Sequence, residues 1–116
     1  MKWRELTARE RALVDILLSA TFSGREVIAH QLRDSRVRAI DAEGSLAFDI
    51  SSPERAGVRH RIPIEAEAED LDGVTVHMLL HVVEGKVSEL EFYKDNLSQV
   101  LGLPPPDRWR VINLHG

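Results

Sequence analysis

The chain has 116 residues, 43% apolar and 29% charged, a balance that fits one globular domain and argues against a disordered segment. It has no cysteine, which removes disulfides, thiolate zinc sites and thiol nucleophiles together and fits a reducing compartment. The net charge of -4 is uneven: residues 1–61 carry 11 basic and 9 acidic side chains and residues 62–116 carry 4 and 10, so the second half repels a phosphate backbone and attracts cations or basic surfaces.

The opening MKWRELTARERALVDILL is charged throughout, unlike a signal peptide, and no apolar run reaches the length of a membrane span. TARE at residues 7–10 has the capping-box pattern of Thr7 and Glu10, and Ala12, Leu13, Ile16, Leu17 and Ala20 follow at helical spacing. SGRE at residues 23–26 repeats the pattern and predicts a second, shorter helix with Val27, Ile28 and Leu32 inward and Phe22 as a staple. Residues 35–42 and 45–51 read as strands flanking a Glu43-Gly44 hairpin turn, with Leu46, Phe48 and Ile50 on one face. A loop covers residues 51–57. Strands are expected over 58–69, 74–83 and 87–94. Pro104-Pro105-Pro106 opens an extended tail whose Trp109, Val111, Ile112 and Leu114 should dock on the body, a last strand being left open.

Turn chemistry fixes the register of the middle strands. If Leu71-Asp72-Gly73 is a three-residue loop with Gly73 left-handed, Asp70 pairs with Val74. Ala68, Ala66, Ile64 and Ile62 then oppose Val76, Met78, Leu80 and Val82 on an apolar face. Glu69, Glu67, Glu65 and Pro63 oppose Thr75, His77, Leu79 and His81 on a polar one. A one-residue slip spoils both faces. After a Glu84-Gly85 turn, Val87 and Leu90 have opposite parity, which requires a bulge near Ser88-Glu89. Beyond it, Leu90 and Phe92 turn inward, while Glu89, Glu91 and Tyr93 join the polar face. Pro63 lacks a donor and should kink the first of these strands or face an unpaired position.

The expected fold is α+β: one domain over residues 1–116, with two N-terminal helices packed on one face of an antiparallel meander sheet of about five strands. The Pro-rich tail docks from about residue 103. The candidate binding face is Glu65, Glu67, Glu69, His77, Leu79, His81, Glu89, Glu91 and Tyr93. A solvated sheet face has this pattern of alternating glutamates. A protein interface would explain Leu79 and Tyr93 among the charges, with Val83 on the same side. A metal or acid–base site would centre on Glu67, His77 and Glu91. His77 and His81 stand roughly 13 Å apart along a strand, too far to share one ion. His60 has the parity of a partly buried structural histidine; His30 and His115 have no company in sequence. No Ser–His–Asp spacing, glycine-rich phosphate loop or zinc motif is present. RDSRVR and RHR are too sparse, and too poor in aromatics, for a nucleic-acid surface.

RELTARERALVDILLS, GSLAFDI and above all LLHVVEGKVSELEFYKD resemble a family of small, mainly actinobacterial proteins classed as a domain of unknown function. Its members carry a run of the type HVLLHVVDGRLSELEIYRxDG. This chain departs from it at Asp95-Asn96-Leu97, which implies a different turn there. The resemblance implies a shared fold and a bacterial cytoplasmic setting; it implies no activity, ligand or catalytic residue. The sequence therefore reads as a non-enzymatic binding or accessory protein using its acidic sheet face. A homodimer or a basic protein is the expected partner. No cofactor, nucleic acid or membrane is expected.

Overall fold

The computed structural model describes residues 2–113 and 115. Helix α1, Ala8–Leu18, starts at the expected capping box. The Thr7 hydroxyl accepts from the Glu10 N–H at 3.1 Å, and the Glu10 carboxylate accepts from the Thr7 N–H at 2.9 Å. Leu13, Val14 and Leu17 form its buried stripe.

The second capping box does not form. Helix α2, Arg25–Arg33, is capped by Gly24 at φ +86°, and Ser23 makes no capping bond. A Cβ at Gly24 would lie 2.9 Å from Val58 Cγ1. The left-handed backbone and this close approach both require glycine, and they start the helix one residue later than Ser23 would. Phe22 and Val27 do pack against the core as expected.

The strands are β1 Arg36–Ala39, β2 Leu46–Asp49, β3 Ile64–Glu69, β4 Thr75–Val83, β5 Lys86–Lys94 and β6 Arg110–Ile112. They form one antiparallel six-stranded sheet in the order β1-β2-β5-β4-β3-β6. The fold is α+β. The meander runs from β3 to β5 as expected, but β2 pairs with β5, and β6 takes the free edge of β3. The tail thus supplies a sixth strand. Strand β3 starts at Ile64, not at residue 58, because Pro63 has no N–H for the ladder. One bond persists beyond it: Arg61 O accepts from Val82 N–H at 2.7 Å.

The central register is the expected one, from Ile64↔Leu80 to Glu69↔Thr75. Gly73 is left-handed at φ +81°, and Asp70 N–H donates to Val74 O at 2.9 Å. Between β4 and β5, Val82 opposes Val87 while His81 opposes Glu89, so Ser88 is the extra residue of the bulge. Glu84 and Gly85 both have positive φ, the backbone of a type I′ hairpin turn.

One core cluster joins Leu13 and Leu17 of α1, Ile28 and Leu32 of α2, and Ala66, Val76, Met78, Leu80, Leu90 and Phe92 of the sheet. Gln31 lies buried among them with its amide fully used. It donates to Glu54 O and Gly85 O at 3.0 and 2.8 Å and accepts from Val87 N–H at 3.0 Å. Trp109 closes the core, edge-on to Phe92 and donating to Pro104 O at 3.0 Å. Leu114 lies outside the described residues. Among the described residues no helix is long and apolar enough to cross a membrane.

Candidate functional site: the acidic sheet face

The register lays the polar face out in rows. Glu65, Leu79 and Glu91 form one row across β3, β4 and β5. Glu67, His77 and Tyr93 form the next, and His81 with Glu89 begins a third. The candidate residues thus share one face, but they do not share one partner.

His77 is the best-placed group. Its Nε2 is hydrogen-bonded to Asp95, just past β5, and its ring stacks on Tyr93 at 4.8 Å between centroids. Its Nδ1 is buried and has no hydrogen-bond partner. The nearest charge to Nδ1 is Glu65 Oε2 at 3.9 Å, too far for a hydrogen bond. Glu65 is itself largely buried, 9% exposed. If Nε2 gives its hydrogen to Asp95, Nδ1 presents a lone pair, without a donor, beside the Glu65 carboxylate. Burial, then the charges of Glu65, Glu91 and Asp95, push the Tyr93 hydroxyl above its ordinary pKa, so it stays a neutral phenol.

His81 is engaged at both nitrogens. Arg61 Nε–H donates to its Nδ1 at 3.0 Å, and its Nε2 lies 2.7 Å from Glu91 Oε1. Arginine can only donate, so the ring proton sits on Nε2 and goes to Glu91. His81, Glu89 and Glu91 each offer a ligand atom within 4.8 Å of the others, a spacing that could hold a metal ion. A metal on Nε2 would move the proton to Nδ1, where it would face the Arg61 N–H. The donor set fits a divalent cation in number and type, and Arg61 opposes it.

The expected trio of Glu67, His77 and Glu91 is drawn to three different partners. Glu67 and Glu69 share Arg110 of β6, at 3.4 and 2.9 Å, while His77 turns to Asp95 and Glu91 to His81. Leu79 is not an open anchor either. It is 8% exposed within this chain alone and lies outside the main core cluster. Val83 remains exposed at the turn. His60 is exposed, not partly buried, because the chain leaves the ladder before Pro63; it stacks on His115 at 3.6 Å.

Residues 94, 95, 61 and 110 are the ones the sequence reading missed. Lys94 has the core parity of Leu90 and Phe92, a signal that it is buried, and it opposes Val76 beside the Asp70-Leu71-Asp72 turn. Its ammonium, 1% exposed, pairs with Asp70 at 3.0 Å and Asp72 at 2.7 Å. Burial alone would raise the Asp70 pKa. The N–H groups of Leu101 and Leu71, the Lys94 ammonium and the Gly102 N–H outweigh it and hold the carboxyl at about 2. This knot ties the chain after β5 to the β3–β4 turn, and Asp95 is held next to it.

Fold and face together define an α+β protein with a half-buried, mostly acidic sheet surface. A family model described as Domain of unknown function (DUF6984) matches residues 3–104, and the chain belongs to that family. The match ends before β6, so Arg110 lies beyond it. No curated protein and no solved structure matches the chain.

Proposed function

We propose that this chain is a non-enzymatic binding protein whose acidic sheet face receives a basic group from a partner. The observation that carries the reading is His77 Nδ1, buried without a hydrogen-bond partner among the described residues and 3.9 Å from the Glu65 carboxylate. A buried polar group without a partner is costly, and natural structures keep few of them. A lysine ammonium or arginine guanidinium supplies N–H donors to both acceptors at once, with Glu91 and Asp95 adding negative potential around it. Leu79, already covered, serves as the dry floor. The partner is a basic segment of another protein or of a second copy of this chain, and light scattering with and without peptide separates the two. The setting we infer is a bacterial cytoplasm, on the resemblance of LLHVVEGKVSELEFYKD and the absence of cysteine.

Calorimetric titration with short oligo-lysine and oligo-arginine peptides tests the reading. Losing one side of a buried charged hydrogen bond costs about 2–5 kcal/mol, so Glu65→Gln should weaken binding by more than about tenfold. Equal binding by the variant and the parent chain rejects Glu65 as the receiving group.

A second reading rests on the close spacing of His81, Glu89 and Glu91. A divalent cation there would compete with Arg61. Zn²⁺ should then raise the melting temperature little in the parent chain and more in Arg61→Ala, and not at all in His81→Ala. No response in Arg61→Ala removes this reading.

A further inference from the structure

A cavity of about 160 Å³ lies away from the acidic face, between the start of α2, the loop before β3 and the tail. Its polar lining is Arg59, His60, Asn113, His115, Ser23 and Thr21, on an apolar base of Phe22 and Pro63. These groups come from three distant parts of the chain. The tail is held there by two contacts: Asn113 Nδ2–H donates to Thr21 O at 3.2 Å, and His115 Nε2 meets Ile62 O at 3.1 Å. The His115 ring in turn stacks on His60 at 3.6 Å. Among the described residues, Arg59 has no ion pair, and the hydroxyls of Ser23 and Thr21 have no acceptor.

We propose that this cavity binds a small oxyanion. Guanidinium, imidazole and two hydroxyls are the donors that oxyanions use, and among the described residues the lining holds no carboxylate side chain to compete. Two arginines near the acidic half are engaged: Arg110 holds glutamates and Arg61 holds His81. Arg59, two residues from Arg61, lines this cavity and also the hollow beside Glu84. Ser23 precedes Gly24, the cap of α2 that has no side chain to bond the first N–H groups, and the helix dipole adds a modest preference for negative charge. The volume has room for one small oxyanion with several waters. Pockets for drug-sized ligands begin near about 300 Å³.

The experiment is an amide NMR titration of the full chain with inorganic phosphate and, separately, with acetate, at ionic strength held constant with sodium chloride. Saturable shifts centred on Thr21, Ser23, Arg59 and His60 are expected, weakened about tenfold or more in Arg59→Gln, the scale of one charge-assisted hydrogen bond. Arg59 is exposed, so the variant should keep the fold. A stronger response to phosphate assigns a phosphate-type ligand, and a stronger response to acetate assigns a carboxylate; either supports the site. No saturable shift with either anion overturns it, as do shifts spread equally over Arg33, Arg36 and Arg38 or binding unchanged in Arg59→Gln.

Discussion

Two histidines on one strand face, four residues apart, end in opposite states. His81 is closed by Arg61 on one side and Glu91 on the other. His77 is closed only on the Asp95 side, and its other nitrogen faces a buried carboxylate across a gap. A buried acceptor kept without a donor, as His77 Nδ1 is, lowers stability, and binding sites accept such costs. Glu65→Gln should therefore raise the stability of the free chain, by about 0.5–2 kcal/mol, while it weakens peptide binding. Its new amide can donate to His77 Nδ1. Parallel chemical denaturation of the two chains checks the sign; a loss of stability would mean that Glu65 is a structural partner. Asp70 gives a second prediction at this scale. Its folded pKa of about 2 lies below the usual 3.8, so the folded chain holds this proton less tightly than the unfolded one. The stabilisation is whole above about pH 4 and is lost as the pH falls through about 2. Asp70→Asn should lower stability at neutral pH and flatten the acid limb of a stability–pH curve between those values.

At the scale of elements, local chemistry was readable and long-range cover was not. Gly73, the apolar alternation around it and the parity break after Val87 specified the register that the sheet adopts from Ile64 to Glu69 and the bulge in β5, whereas the expected pairs of Pro63 with His81 and Ile62 with Val82 do not form and Val82 N–H goes to Arg61 O. Thr7 and Glu10 gave the start of α1 for the same reason: both groups of the capping box lie within one turn. Ser23 and Glu26 carried the same signal and failed, because Val58 and Ala56 press on Gly24 from a loop far along the chain. The pairing of Glu67 and Glu69 with Arg110 was equally out of reach, since nothing local says which strand takes the outer edge of β3. Thr7→Ala should cost about 1 kcal/mol through loss of the cap, measurable by urea denaturation. Gln31→Leu removes three hydrogen bonds that hold α2 to the loop at Glu54 and the β4–β5 turn. Amide exchange at Ala56 and Val87 should speed up in that variant more than exchange at Met78 or Leu80.

Over the whole molecule, the tail links the acidic sheet face to the cavity beside α2. Trp109 buries itself against Phe92 and delivers β6 to β3, and β6 brings Arg110 to the acidic face. The far end of the same tail closes the cavity at His60 and Arg59. Trp109→Ala should cost roughly 3–5 kcal/mol and release Arg110 from Glu67 and Glu69. The sheet order itself, with β2 beside β5, could not be read from hairpin signals, because both partners carry the right alternation for several neighbours. The most direct test of the account is the state of the His77 ring, read from side-chain ¹⁵N NMR with and without a short oligo-lysine peptide. The account predicts a proton on Nε2, a bare Nδ1 in the free chain, and a shift at Nδ1 when peptide is added. A ring protonated at both nitrogens in the free chain at neutral pH, and unmoved by peptide, would mean that Glu65 and Asp95 already satisfy it and that this face receives nothing at His77.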